Sequence, residues 1–273
     1  MTRSLTAVVF VLTVMQSASV DAGTQPAQER SDTEVVDSLV AAATKEGAED
    51  TGIVDAVRIA ADRVGLYPRE NAFAVIPVAL GSVAASDDSS RRVRRRAELV
   101  SGFKPIVLEG LKSADGVVRR YAFAAMGAMS AGDPSAHSDF MGLAKRLFEK
   151  DAEAKVRAVA LGVLVRGGRS QSANWTLLES ALKDPSPEVK SAAYSEVALA
   201  RPPQAVPYIL EGLSREDDPW LRLSAANALV NFVRTNPEVV EAVADRAAVE
   251  SESYIKEQLV LLLGRMKEVK KQR

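Results

Sequence analysis

An all-α fold is what this sequence predicts: an α-solenoid of about six to seven stacked antiparallel helix pairs in a right-handed superhelix. Three observations predict it. A Val-Arg-like pair recurs at Val93-Arg94, Val118-Arg119, Val156-Arg157, Val189-Lys190, Leu221-Arg222 and Ile255-Lys256, at spacings of 25, 38, 33, 32 and 34 residues. Periods of this length signal stacked supersecondary units. Three positions after each basic residue stands Ala97, Ala122, Ala160, Ala193, Ala225 or Leu259; three further on stands Val100, Ala125, Val163, Glu196, Ala228 or Leu262. That is one face of a helix, broken only at Glu196. Third, no stretch alternates apolar and polar residues as a strand would. Aromatic residues are only 5% of the chain, so the core must close through Ala, Val and Leu.

The 273 residues carry 47% hydrophobic and 26% charged side chains, a globular balance. Residues 1–22 read as a signal peptide: Arg3, an apolar run from Leu5 to Met15, then small residues, with cleavage fitting after Ala22 or after Ser19. The apolar run is short for a bilayer, which takes about 20 residues, so no membrane span is expected after cleavage. The chain has no cysteine, so an exported form, periplasmic or extracellular, rests on its core and not on disulfides. Residues 23–33 are polar and without period, a flexible lead-in, and residues 34–273 form the repeat domain.

Within that domain, first helices of the pairs are expected at 34–45, 70–85, 103–113, 138–149, 174–183, 204–214 and 237–249. Second helices are expected at 52–65, 91–101, 117–130, 153–166, 187–199, 219–234 and 252–269, with Val57-Arg58 a degenerate early copy. Breaker clusters separate them at Ser86–Ser90, Gly132-Asp133-Pro134, Gly167-Gly168, Arg201-Pro202-Pro203 and Asn236-Pro237. The joint at Asp184-Pro185-Ser186-Pro187 is the clearest, because Pro187 suits a first helical position, where its missing N–H costs nothing. Pro105–Leu111 and Pro207–Leu213 match at five of seven positions, both containing Leu-Glu-Gly-Leu. No single hairpin buries enough: at about 1.5–3 kcal/mol per buried Val or Leu, it takes a stack to offset the ordering entropy.

The Leu…Asp-x-x-x-x-Val-[Arg/Lys]-x-x-Ala pattern resembles HEAT repeats of the armadillo type, in the short class also found in phycobilisome lyases, over roughly residues 50–269. The resemblance implies first helices on a convex side and second helices lining a concave surface. It also implies a ladder between neighbouring repeats, here of Asp115, Arg119, Asp151, Arg157, Asp184, Lys190, Asp218 and Arg222. Asp87 stands six residues before Val93, further than the pattern has it, and Glu250 replaces the last turn's Asp.

Candidate sites are few. Arg91, Arg92, Arg94, Arg95 and Arg96 start a second helix at the unfavourable end of its dipole. They read either as a solvated helix start or as a site for an acidic partner, since guanidinium binds carboxylate with two donors. Phe123, Leu161, Tyr194 and Val260 fall on second helices and read either as core or as an apolar groove for a peptide. Trp175 and Trp220 start helices, and His137 sits in a loop with serines and aspartates that lacks a nucleophile elbow. With one His and no Cys there is no metal constellation, and no phosphate or dinucleotide loop occurs, so no cofactor is expected. A net charge of -1 argues against nucleic acid. The expectation is a non-enzymatic, exported scaffold that binds a protein or peptide, with an acidic one among the candidates. The alternatives are a lyase-like enzyme or enzyme subunit of the HEAT-like class, or a nucleic-acid-binding solenoid.

Overall fold

A computed structural model describes residues 50–62, 66–83, 89–130, 134–167 and 171–271, together with Glu34 and Asp37, which are helical. The expected leader at 1–22, the lead-in at 23–33 and most of the helix expected at 34–45 lie outside the described residues. Among the described residues every regular element is helical. The chain divides into two compact units, Met1–Phe140 and Met141–Arg273.

The first unit holds α1 (Asp50–Ala61), α2 (Leu66–Val83), α3 (Ser89–Gly110), α4 (Gly116–Ser130) and the start of α5 (Pro134–Lys150). Helix α1 packs on α3 and α2 on α4, so the unit has two layers. The break expected between helices at 91–101 and 103–113 is absent, and α3 runs straight through it. Leu99, Phe103, Ile106 and Val107 are all buried. Their spacing makes one continuous apolar stripe, and that burial outweighs the single backbone hydrogen bond lost at Pro105. At Gly102 the helix meets α1 closely: a Cβ there would lie 2.7 Å from Val54 Cγ2.

The fused helix explains the short 25-residue spacing between Val93 and Val118, which spans one long helix and one turn. It also reverses two assignments. Helix α1, expected as a second helix, lies in the layer of first helices with α3. Helix α2, expected as a first helix, packs beside α4 in the second layer.

The second unit holds the rest of α5, then α6 (Ala154–Gly167), α7 (Gln171–Leu182), α8 (Pro187–Ala200), α9 (Ala205–Arg215), α10 (Pro219–Leu229), α11 (Val239–Val249) and α12 (Ser253–Lys271). Helices α6, α8, α10 and α12 pack in succession as the second layer, and α9 and α11 pack together in the first. The recurring apolar pairs are the seam: Val156 and Ala160, Val189 and Ala193, Leu221 and Ala225, Ile255 and Leu259 are all buried. A small residue at the second position of most pairs lets neighbouring helices approach. The helix expected over 219–234 stops at Leu229 and tightens into a 3-10 turn over Val230–Phe232.

The joints follow local chemistry. Ser186 caps α8, accepting from the Val189 N–H, and Pro187 is the first helical residue. Arg201 ends α8 in the left-handed conformation at φ 49°, a position that usually takes glycine. The two Leu-Glu-Gly-Leu segments now have a packing reason. Phe73 of α2 lies where a Cβ on Gly110 of α3 would go, and the Tyr194 hydroxyl of α8 lies where one on Gly212 of α9 would go. In both units a first-layer glycine receives an aromatic ring from the preceding second-layer helix.

Candidate functional site

Four of the acidic turn residues first serve their own turns. Asp115 accepts the Val117 N–H at 2.8 Å, Asp151 that of Glu153 at 2.9 Å, and Asp184 that of Ser186 at 2.8 Å. Glu250 accepts from Ser251 and Glu252. The basic residue of the Val-Arg pair then reaches the acid of the following turn. Arg157 grips Asp184 with Nε at 3.3 Å and Nη2 at 3.0 Å. Lys190 places Nζ 2.9 Å from both oxygens of Glu216. Arg222 grips Glu250 with Nε at 2.8 Å and Nη2 at 2.6 Å.

The arginines do a second task that the lysine does not. Arg119 donates to the carbonyls of Ser113 and Ala114, Arg157 to those of Asp151 and Ala152, and Arg222 to those of Glu216 and Asp217. These are the carbonyls six and five residues back each time. The five donors of a guanidinium fork can serve the turn and the next carboxylate together, whereas an ammonium is a point charge.

One expected member of the ladder needs correction. Asp218 is not the partner of Lys190; it caps α10, accepting the Trp220 N–H at 2.8 Å, because an acid just before Pro219 sits in the N-cap position. Glu216 takes the rung and also receives the Tyr194 hydroxyl, whose pKa burial and that carboxylate push well above the ordinary value. The last rung, where Glu250 stands in place of Asp, is the most buried. Glu250 has no exposed side chain and also receives Arg246. The Arg222 hydrogen bonds, with those of the Glu252 N–H and Arg246, hold its pKa down at about 2.

The arginine cluster of α3 separates into different tasks. Arg96 donates to the Ala128 carbonyl at 2.8 Å, closing the C-terminal end of α4. Arg95 is half-buried, and Arg94 is exposed. The side chains of Arg91 and Arg92 lie outside the described part of the helix.

The apolar groove residues expected from sequence are mostly core. Phe123 is fully buried and stacks on Phe140 with ring centroids 4.9 Å apart. Leu161 is fully buried, and Tyr194 is 2% exposed, filling the space over Gly212. Their aromatic and aliphatic bulk is what the layers consume, since small residues dominate elsewhere. Val260 alone of the four is exposed. His137 is an exposed residue in the first turn of α5, because that helix starts at Pro134 and not at 138. Trp175 lies edge-on to Tyr208 at 5.1 Å, and Trp220 lies 5.5 Å from Tyr254.

A different surface emerges on the second layer of the second unit. Two depressions adjoin at Ser195. One, about 510 Å³, lies between α6 and α8 and is lined by Val159, Gly162, Val163, Arg166, Ala192 and Glu196. The other, about 400 Å³, lies between α8 and α10 and is lined by Leu199, Ser224, Asn227 and Asn231. Val159 and Leu199 are exposed apolar residues beside small, uncharged ones. Glu196 is buried there, with Oε1 accepting from Arg166 Nε at 3.1 Å and Nη2 at 2.6 Å. The signal for this site was present in the sequence, where Glu196 was the one residue that broke the apolar face.

Among the described residues no group of three His, Cys, Asp or Glu side chains could hold a metal. Among them, too, no helix is long and apolar enough to cross a membrane.

No curated protein matches the chain. Solved structures with some likeness include human deoxyhypusine hydroxylase in complex with glycerol, 16% identical over 89% of this chain and 100% of that one, TM-score 0.38. The complex of CpcE and CpcF of phycocyanin lyase from Nostoc is 16% identical over 92% and 97%, TM-score 0.38. A designed armadillo repeat protein is 15% identical over 89% and 96%, TM-score 0.37. Scores this low transfer nothing to this chain. The family profile of HEAT repeats matches residues 175–264. That span runs from within α7 to within α12, where helix pairs, buried Val-Ala seams and acid–base rungs repeat together. Residues 175–264 of this chain are therefore HEAT repeats, set in an all-α chain of stacked helix pairs.

Proposed function

We propose that this protein is an exported, non-catalytic binder that takes a protein or peptide segment along the second-layer surface of its second unit. One observation carries the reading: exposed Val159 and Leu199 flank the small or hydrogen-bonding side chains of Ala192, Ser195, Ser224 and Asn227, in two adjoining depressions. The Ser195 and Ser224 hydroxyls donate to their own helices, which leaves their oxygens as acceptors, and apolar seats with polar groups between them suit a peptide, whose side chains and backbone need both. Export is supported by the basic, apolar and small-residue order of residues 1–22. Exposed Arg94 suits steering of an acidic partner, as charge complementarity raises encounter rates.

A displayed library of random peptides, panned on the full chain, tests the binding. Wild type should enrich sequences over bare matrix, and Leu199→Glu should lose that enrichment. Wild type enriching nothing would end the reading. Serine at all five of Arg91, Arg92, Arg94, Arg95 and Arg96 should weaken capture of acidic peptides and flatten its salt dependence; unchanged capture rejects steering. Alkaline phosphatase fused after Ala22 reports export by becoming active only outside the cytoplasm.

A further inference from the structure

The least satisfied polar group on the second-layer surface is Glu196. Its side chain is 6% exposed. Both donors from Arg166 fall on Oε1, and Oε2 is buried with no hydrogen-bond partner. The rungs are built otherwise: Arg157 and Arg222 each place one nitrogen on each carboxylate oxygen. A buried carboxylate oxygen left without a donor is destabilising, because it has lost its water and gained nothing in return. The residue that partly covers it is loosely held, since the Arg166 side chain is 69% exposed. Gly162 makes the room: a Cβ there would lie 2.7 Å from Arg166 Nη2 and 3.1 Å from Glu196 Oε1. Around them Ala158, Val159, Val163 and Ala192 contribute no charge.

We infer that the depression between α6 and α8 is a subsite for a cationic side chain, Arg or Lys, of the bound segment, with Arg166 as its displaceable occupant. The inference rests on the peptide-binding reading above and adds the chemistry of one position. An incoming guanidinium delivers two parallel donors, one to each oxygen, and satisfies Oε2, which Arg166 leaves bare. The walls accept the aliphatic stem, and the released Arg166 head moves into water, where a guanidinium is well solvated. An anion is excluded, because Glu196 would face it.

The same library decides this separately from the binding reading. Peptides enriched by wild type should share Arg or Lys at one position, and Glu196→Gln should lose that preference. The best enriched peptide and its counterpart with citrulline at that position are then titrated calorimetrically against the full chain. Wild type should bind the citrulline peptide at least about tenfold more weakly, Glu196→Gln should bind the two equally, and Arg166→Ala should bind the cationic peptide several-fold more tightly. Thermal melting by circular dichroism checks that each variant folds, and if Glu196→Gln does not, Arg166→Ala decides. Enriched peptides without a cation, a preference that survives Glu196→Gln, or an Arg166→Ala that binds no tighter overturns the subsite and leaves the binding reading standing. No enrichment at all overturns both.

Discussion

The two units use the same sequence signature for different work. In the second, the basic residues of three Val-Arg-like pairs join their turns to the acid of the next, at Arg157–Asp184, Lys190–Glu216 and Arg222–Glu250. In the first, the pair at Val93-Arg94 lies on a helix that never breaks; Val93 and Arg94 are exposed, and the neighbouring Arg96 closes the end of α4. What the units share is the first-layer glycine under an aromatic ring, at Gly110 and at Gly212, and an arginine that closes its own turn, at Arg119 as at Arg157 and Arg222. The difference teaches that a rung needs a break between the helix that carries the base and the helix that leads to the next acidic turn. Where those two helices fuse, Arg94 and the turn of Asp115 stand at opposite ends of α3.

The largest break in that comparison is expected at the end of the second unit. Glu250→Ala leaves Arg222 buried without its carboxylate and should cost about 3–5 kcal/mol in chemical denaturation. Acid titration tests the same group with a definite sign. Its carboxylate is held at about 2 against an ordinary 4.5, so its contribution is present above pH 4.5 and is lost as the pH falls from there towards 2. Glu250→Gln should therefore flatten the stability profile in that window, and an unchanged profile would remove Glu250 as its cause.

Glycine substitutions come next and should not distinguish the units. Gly110→Ala and Gly212→Ala each force an aromatic ring aside and should cost roughly 1–3 kcal/mol. Tyr194→Phe should recover part of the loss at Gly212 by removing the atom in the way, and it should do nothing for Gly110. Arginine removal should then separate the units. Arg157→Ala leaves Asp184 half-buried and should cost about 1.5–3 kcal/mol, whereas Arg96→Ala loses a neutral carbonyl partner and should cost about 0.5–1.5 kcal/mol.

The smallest effect is a gain. Lys190→Arg would supply the fork that its counterparts use, reaching the carbonyls of Asp184 and Pro185 while keeping Glu216. Its expected gain is about 0.5–1 kcal/mol, read from the shift of the unfolding midpoint.

Much of the second unit was legible in the sequence. The joint at Asp184–Pro187 and the buried Val189 and Ala193 follow from spacing and turn chemistry, and the Arg157–Asp184 rung belongs to the ladder that the HEAT resemblance implied. The first unit was less legible for a physical reason. Separate helices were expected at 91–101 and 103–113, but Leu99, Phe103, Ile106 and Val107 form a stripe that is worth more buried than the break would save. The site divides in the same way. Glu196 stood out as a carboxylate on an apolar face, yet nothing local told that Arg166, thirty residues earlier, would meet only one of its oxygens. Phe123 and Tyr194 had helical spacing that suits a groove or a core equally, and only the neighbouring helices placed them in the core.

The sequence by itself determined the helical period, the places of most turns and the face each second-unit helix buries, because those depend on neighbours within a few residues. The tertiary structure decided which acid each base reaches, which layer α1 and α2 occupy, and which carboxylate oxygen stays without a donor. Those depend on how the helices stack, and a contact across 26 to 30 residues is fixed by the packing between them.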